Sequence, residues 1–383
     1  MKTGALLLLS LALGGCASAP PASQADRFFA DHLFRAPSQA IDARQVLALS
    51  DEMKGYLARE IGAPAGHKGR QRALVEALRD KGQLKLEYDA AFTRNAAEAF
   101  EARSGNCLSL VLMTAAFARQ MGVPVRYQSL YFDETWSRHG NTYFSIGHVN
   151  LTLGARPPKV GSQYDEGEQL TVDFLPSRDL RGTIWKKLGE DTILAMYMNN
   201  RAAESLAADN VDDAYWFARE AIRQDPQFVT LYNTLGVVYR RHGNLDEAAK
   251  VLAHGLKYEP RNISLMSNMA TVLAELGRVA ESRELEAQLA QIDPEPPFAF
   301  FNRGVTAMRA GDFGAARDFF TKEIDRAPFY HEFHFWLALA LFNLGDNERA
   351  GKELALAMEN STTRRDHDLY AAKMVRLKSS GLH

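Results

Sequence analysis

The chain reads as a mixed α+β domain followed by an all-α repeat solenoid, and three observations predict that order. Apolar spacing between Arg27 and about Ala102 is mostly helical, as at Val46, Leu47 and Leu49 and again at Leu74 and Leu78, with a break at Ala63-Pro64-Ala65-Gly66. From Val125 the pattern changes to strands: Val149, Leu151 and Leu153 alternate in one run, and Leu170, Val172 and Phe174 in another. In the C-terminal half a 34-residue period takes over. A chain of 383 residues is too long for one ordinary core and suits a division of this kind.

The first residues read as a targeting segment. Lys2 supplies a positive start, and the apolar run Ala5 to Leu13 is too short to span a bilayer as a mature helix. The run ends in Leu13-Gly14-Gly15-Cys16, which resembles the lipobox of bacterial lipoproteins. That resemblance implies removal of residues 1–15, a lipid on Cys16 and a Pro/Ser/Ala tether over 16–25. A plain secretory signal cut near Ala17-Ser18-Ala19 is the alternative, and either reading exports the chain. Ala17 stands where an aspartate would resemble an inner-membrane retention signal, so the expected location is the bacterial cell envelope, on the outer membrane and facing the periplasm. The membrane is then a partner through the acyl chains on Cys16 alone. A net charge of −2 carries no electrostatic footprint for nucleic acid.

Cysteine usage points to chemistry. The chain has only Cys16 and Cys107, so after lipidation one thiol remains. In an oxidising compartment it has no partner for a disulfide within the chain and is open to oxidation, so its presence needs a reason. Ser104-Gly105-Asn106-Cys107 leads into a nearly all-apolar run, Leu108 to Met121, ended by Gly122 and Pro124. This places Cys107 at the N-terminus of a buried helix, where free amide hydrogens and the macrodipole favour a thiolate and an oxyanion. A lone cysteine is also a common small core residue, and the position alone does not separate the two.

A thiolate nucleophile needs a base and an orienting carboxylate. In Gly147-His148-Val149-Asn150-Leu151-Thr152-Leu153 the apolar residues hold the odd positions, so His148, Asn150 and Thr152 share the opposite, polar face. Thr171 and Asp173 do the same in the later run, and adjacent strands would set His148 and Asp173 side by side. Cys107, His148 and Asp173, separated by 41 and then 25 residues, together with Ala118 to Arg126, resemble the transglutaminase-like superfamily over about residues 85 to 180. The resemblance implies Cys107 as nucleophile, His148 as general base and Asp173 as its orienter, with no cofactor and no metal. Asn106 departs from the aspartate of many members, and beyond the Cys107 amide no group clearly completes an oxyanion hole. The segments 133–145 and 155–167 are expected to be loops that bear on substrate choice, with Trp136, His139 and Tyr143 in the first.

The repeat period is carried by four registers. Pro226, Pro260, Pro294 and Pro328 are each 34 residues apart, as are Gly243, Gly277, Gly311 and Gly345. Small residues repeat in the same way at Ala202, Gly236, Ala270, Gly304 and Ala338, and at Ala214, Ala248, Ser282, Ala316 and Ala350. Small residues let paired helices approach, glycine marks the turn and proline ends the unit. The pattern resembles tetratricopeptide repeats, five units over 195–364, with Asp209 in place of the first turn glycine and Thr362 in place of the last proline. A capping helix is expected within 365–383.

The expected organisation is therefore a signal peptide over 1–15, a lipidated tether over 16–25, a helical lead-in with the catalytic domain over 26–190, five repeats over 195–364 and a cap over 365–383. The expected function is an envelope-anchored cysteine peptidase or amidase working through an acyl-enzyme, with a protein or peptide partner in the repeat groove. A transglutaminase that cross-links envelope proteins is the second reading, and a non-catalytic scaffold is the third. His331 and His334, three apart on an expected helix, would need a third ligand to hold a metal.

Overall fold

The computed structural model describes residues 25–61, 69–79, 84, 86–139, 142–154, 169–174 and 184–380. The signal segment, Cys16 and most of the tether lie outside these residues, as do the break at 63–66 and the expected loop 155–167.

The α+β part comprises α1 (Asp51–Tyr56, continued by a π-turn over Leu57–Ile61), α2 (Arg70–Arg79), β1 (Glu87–Tyr88), α3 (Ala96–Ala102), β2 (Ser104–Gly105), α4 (Cys107–Gln120), β3 (Val125–His139), β4 (Thr142–Leu153), β5 (Leu170–Val172) and β6 (Ile184–Leu188). Among the described residues the larger sheet is antiparallel in the order β5-β4-β3-β6, and β1 pairs in parallel with β2. Helix α4 is buried from Cys107 to Ala118. It closes at Gly122, whose φ of +67° lets the Gly122 and Val123 amides donate back to Arg119 and Ala118.

Two expectations need correction. Residues 133–139 and 142–145 are strand in place of loop. Strands β3 and β4 continue as a hairpin that pairs Thr135 with Ile146 and His139 with Thr142, after a register shift between Leu130 and Thr135. The run Thr135-Trp136 and Thr142-Tyr143-Phe144 is rich in β-formers, and Gly140-Asn141 between them is a hairpin signal that polarity concealed. Trp136, His139 and Tyr143 therefore belong to strands.

The second correction concerns residues 27–50, which form 3-10 turns at Asp26–Phe28, Asp31–Leu33 and Ala43–Gln45 in place of regular helix. The rings of Phe28 and Phe34 are spent on the repeats. Those repeats are five helix pairs: α5 (Glu190–Ala207) with α6 (Val211–Gln224), α7 (Thr230–His242) with α8 (Leu245–Tyr258), α9 (Ile263–Glu275) with α10 (Val279–Ile292), α11 (Ala299–Ala310) with α12 (Phe313–Arg326), and α13 (His331–Asn343) with α14 (Asn347–Glu359). Phe34 stacks on Tyr215 with ring centroids 3.9 Å apart, and the Tyr215 hydroxyl donates to Asp31 at 2.6 Å. The Tyr239 hydroxyl donates to the Phe28 carbonyl at 2.7 Å and accepts from the Ala30 amide at 3.0 Å. The lead-in is thus a strap held by α6 and α7, and backbone groups that a helix would pair internally are paired with repeat side chains instead.

The repeat registers have direct physical counterparts. Helices α6, α8, α10 and α12 each end two residues before Pro226, Pro260, Pro294 and Pro328. Gly243, Gly277, Gly311 and Gly345 all take positive φ, and Asp209 takes the same left-handed turn at φ 60° despite its side chain. A Cβ on Gly236 would lie 2.6 Å from Leu252, and one on Gly304 would lie 2.5 Å from the Phe320 ring. Ser282, where other units carry alanine, donates to the Ala270 carbonyl at 2.8 Å. Helix α15 (Arg364–Ser380) packs on α14.

The core does not divide where the sequence pattern changes. One apolar cluster runs from Ala25 through α4 and the sheet to Val272 on α9, and a second gathers Phe298, Phe301, Phe320, Phe333 and Leu341 in the last two pairs. Helix α5 belongs to both halves: Arg119 of α4 meets its first residue, Glu190, at 2.8 Å.

Candidate active site

The site is built around the start of α4. Asn106 is the N-cap, with extended backbone at φ −72°, ψ 174°, and its Oδ1 accepts from the Ser109 amide at 2.9 Å. Cys107 is the first helical residue and is 8 % exposed. Because the cap satisfies the amide of Ser109, the amide of Cys107 is not consumed by it.

His148 and Asp173 come from β4 and from the residue after β5. The register pairs Leu151 with Val172 and Thr152 with Thr171, so its continuation sets Asp173 across from Asn150, with His148 as the diagonal neighbour. The His148 Nε2 lies 2.9 Å from each Asp173 carboxylate oxygen, and the Asn150 Nδ2 donates to Asp173 Oδ2 at 3.0 Å. The face they share is lined further by the Thr152 and Thr171 hydroxyls, 3.1 Å apart, and Gln128 donates to Thr152 at 2.6 Å. The expected polar face exists, but it is buried: His148 is 5 % exposed, Asn150 2 % and Thr152 4 %.

Burial works against a charged His148 imidazole. Hydrogen bonds to Asp173 and to Cys107, and the charges of both, outweigh it and raise the pKa to about 9. The ring is therefore protonated at neutral pH, and its Nε2 donates to the carboxylate. The three residues singled out in the sequence are thus brought together. Asn150 is an addition: the alternation had placed it on the right face, and its spacing of two from His148 was the available signal for its contact with Asp173.

His331 and His334 are held by hydrogen bonds within the repeats and their cap. His334 bonds Glu353 Oε2 at 2.7 Å and the Pro328 carbonyl at 2.9 Å, and His331 Nδ1 meets the Tyr370 hydroxyl at 2.7 Å. Among the described residues no group of three potential ligands could hold a metal ion, and no helix is long and apolar enough to cross a membrane.

A thiol on a capped helix start, an imidazole bonded to a carboxylate on neighbouring strands, and an array of paired helices define a cysteine-centred α+β fold joined to a helical repeat. Comparison with known families agrees: residues 55–152 match the transglutaminase-like superfamily, and residues 233–297 and 301–363 match the tetratricopeptide repeat. The chain carries a transglutaminase-like domain followed by tetratricopeptide repeats. The first match reaches back to residue 55, well before the start near 85 expected from the motifs, and takes in α2 and α3; it holds Cys107 and His148 and ends before Asp173.

Among solved structures, MamA is 17% identical, with 45% of this chain and 93% of that chain covered, at a TM-score of 0.26. YrrB, described as a tetratricopeptide protein with an unusual peptide-binding site, is 20% identical over 47% of this chain and 92% of its own, at 0.25. A thermophilic tetratricopeptide protein of Thermus thermophilus, TTC0263, is 16% identical over 47% and 99%, at 0.30. No curated protein matches the chain.

Proposed function

We propose that the protein is an envelope-anchored cysteine peptidase or amidase that works through an acyl-enzyme. The observation that carries this reading is His148, hydrogen-bonded to Asp173 at 2.9 Å and close enough to Cys107 for the two to interact. In this chemistry the sulfur attacks a substrate carbonyl carbon, the C–S bond forms and the carbonyl π pair moves onto oxygen. As the tetrahedral adduct collapses, the C–N bond breaks and the imidazolium gives its proton to the departing nitrogen. Water then attacks the thioester, His148 takes its proton, and the acid leaves as the sulfur is released. Asp173 keeps the ring oriented through both steps, and Asn150 steadies Asp173. The Cys107 amide, at the positive end of α4, is the candidate donor to the oxyanion.

Hydrolysis and amine transfer share every step up to the thioester, so the decisive experiment offers both acceptors. Protein starting after Cys16 is incubated with a pool of peptides and a fluorescent primary amine, beside Cys107→Ala. New amino termini or released ammonia without amine incorporation is the expected result. Incorporation of the amine would assign a transglutaminase instead, and no Cys107-dependent product of either kind would leave a scaffold whose repeats carry the function. The repeats would present substrate or partner to the site by raising its local concentration.

The anchor is proposed from Leu13-Gly14-Gly15-Cys16. The full chain should partition into the detergent phase on cloud-point extraction, and Cys16→Ser should return it to the aqueous phase. An unchanged partition would remove the lipid from the reading.

A further inference from the structure

The cap of the nucleophile's helix is tied to the first repeat. Thr93, 2 % exposed, lies in the segment between β1 and α3, which the β1–β2 pairing lays beside the entrance to α4. Its Oγ1 accepts from Asn106 Nδ2 at 2.8 Å and from Asn200 Nδ2 of α5 at 3.2 Å. Its amide donates to Glu204 Oε1 of α5 at 2.7 Å. The neighbouring Arg94 amide donates to Ser109 Oγ at 2.8 Å, inside the first turn of α4. Earlier in the same segment, the Ala90 amide donates at 2.9 Å to the carbonyl of Thr362, between α14 and α15. The segment therefore touches the catalytic helix, the first repeat and the end of the last.

Donor and acceptor arithmetic gives these contacts a direction. A threonine hydroxyl has one hydrogen and two lone pairs. Both lone pairs of Thr93 Oγ1 are taken by the two asparagine amides. Asn106 must then turn its NH₂ to Thr93 and its carbonyl oxygen to the Ser109 amide, which is the orientation that caps α4. Glu204 fixes the backbone that carries this hydroxyl by accepting from the Thr93 amide, a charge-assisted bond.

We infer that Thr93 and Glu204 are positioning residues for Cys107, acting through the Asn106 cap, so that the first tetratricopeptide helix is a working part of the catalytic unit. The inference rests on Cys107 being the nucleophile. It predicts that the catalytic part cut off before α5 loses the cap orientation.

The test uses protein starting after Cys16, with Thr93→Val, Thr93→Ser and Glu204→Gln, and reads two quantities: the rate of Cys107 alkylation by iodoacetamide and hydrogen exchange at the amides of residues 107–110. Valine keeps the shape of threonine and removes the hydroxyl. Glutamine replaces a charged acceptor of the Thr93 amide with a neutral one and so weakens its hold on that segment. Thr93→Val and Glu204→Gln should each slow alkylation by about 10-fold, the scale of a misplacement of a fraction of an ångström, and should speed exchange at Ser109, while Thr93→Ser restores both. Should Thr93→Val fold poorly, Glu204→Gln, at a partly exposed position, decides. Alkylation that depends on His148 but is indifferent to both substitutions, with exchange unchanged, overturns the inference and leaves the proposed function standing. Alkylation indifferent to His148 would strike the nucleophile reading instead, and exchange at Ser109 would still judge the link from Thr93 to the cap.

Discussion

His148→Ala should slow alkylation of Cys107 by iodoacetamide at pH 6 by roughly 10- to 100-fold. A free thiol, with an ordinary pKa of about 8.5, is ionised only to about 0.3% at that pH. A neighbouring imidazolium favours the reactive thiolate form, although a thiol of lowered pKa is also the weaker nucleophile, which returns part of the advantage. The contrast should shrink as pH rises toward 9, where a free thiol ionises without help. In substrate turnover the same substitution removes the proton donor to the leaving group, a loss on the order of 10²–10⁴-fold. Equal alkylation rates for the two proteins across pH 5 to 8 would mean that the sulfur gains nothing from the imidazole, and the enzyme reading would fall.

Asp173→Asn carries the second large effect. The ring of His148 is held protonated to about pH 9 despite its burial, and the hydrogen bond from Nε2 to Asp173 leads the contributions that overcome that burial. An asparagine carries no charge and offers one acceptor where His148 and Asn150 both donate, so the imidazole pKa should fall well below about 9, with only Cys107 left to oppose burial. NMR titration of the His148 ring measures this directly. The sign for stability follows from the folded pKa exceeding the unfolded one: the contribution of the charged pair is fully present below about pH 6.5 and is lost as pH rises through about 9. It amounts to at most about 3 kcal/mol. The variant should lack that decline between pH 6.5 and 9, and turnover should lose its alkaline limb near 9. A ring that titrates near 6.5 in the unmodified protein would refute the pairing.

How much of this was legible in the residues depended on the range of the interaction that decides each feature. The repeat registers are local: proline, the left-handed glycine and the small contact residues act within one helix pair, so a period of 34 was enough to place every pair. The position of Cys107 at a helix start is equally local, set by Asn106, the apolar run and Gly122. His148 and Asp173 were found by strand alternation and family order, although neighbouring strands had to be assumed before they could meet. The hairpin over 133–145 was misread because polar and charged residues, Asp133, Glu134, Arg138 and His139, hid a run of β-formers. The lead-in was misread because its apolar residues pack on repeat helices far along the chain, a contact no window on the sequence contains.

The sequence by itself singled out the candidate residues for chemistry and the residues that carry the repeat, because residue type, capping and periodicity express short-range physics. Only the tertiary structure decided that His148, Asn150 and Asp173 form one buried hydrogen-bonded set, that residues 26–38 strap the repeats, and that Thr93 joins the cap of Cys107 to Glu204 of α5. Hydrogen bonds of that kind depend on donors and acceptors from distant segments meeting within about 3 Å, which only the packed chain fixes.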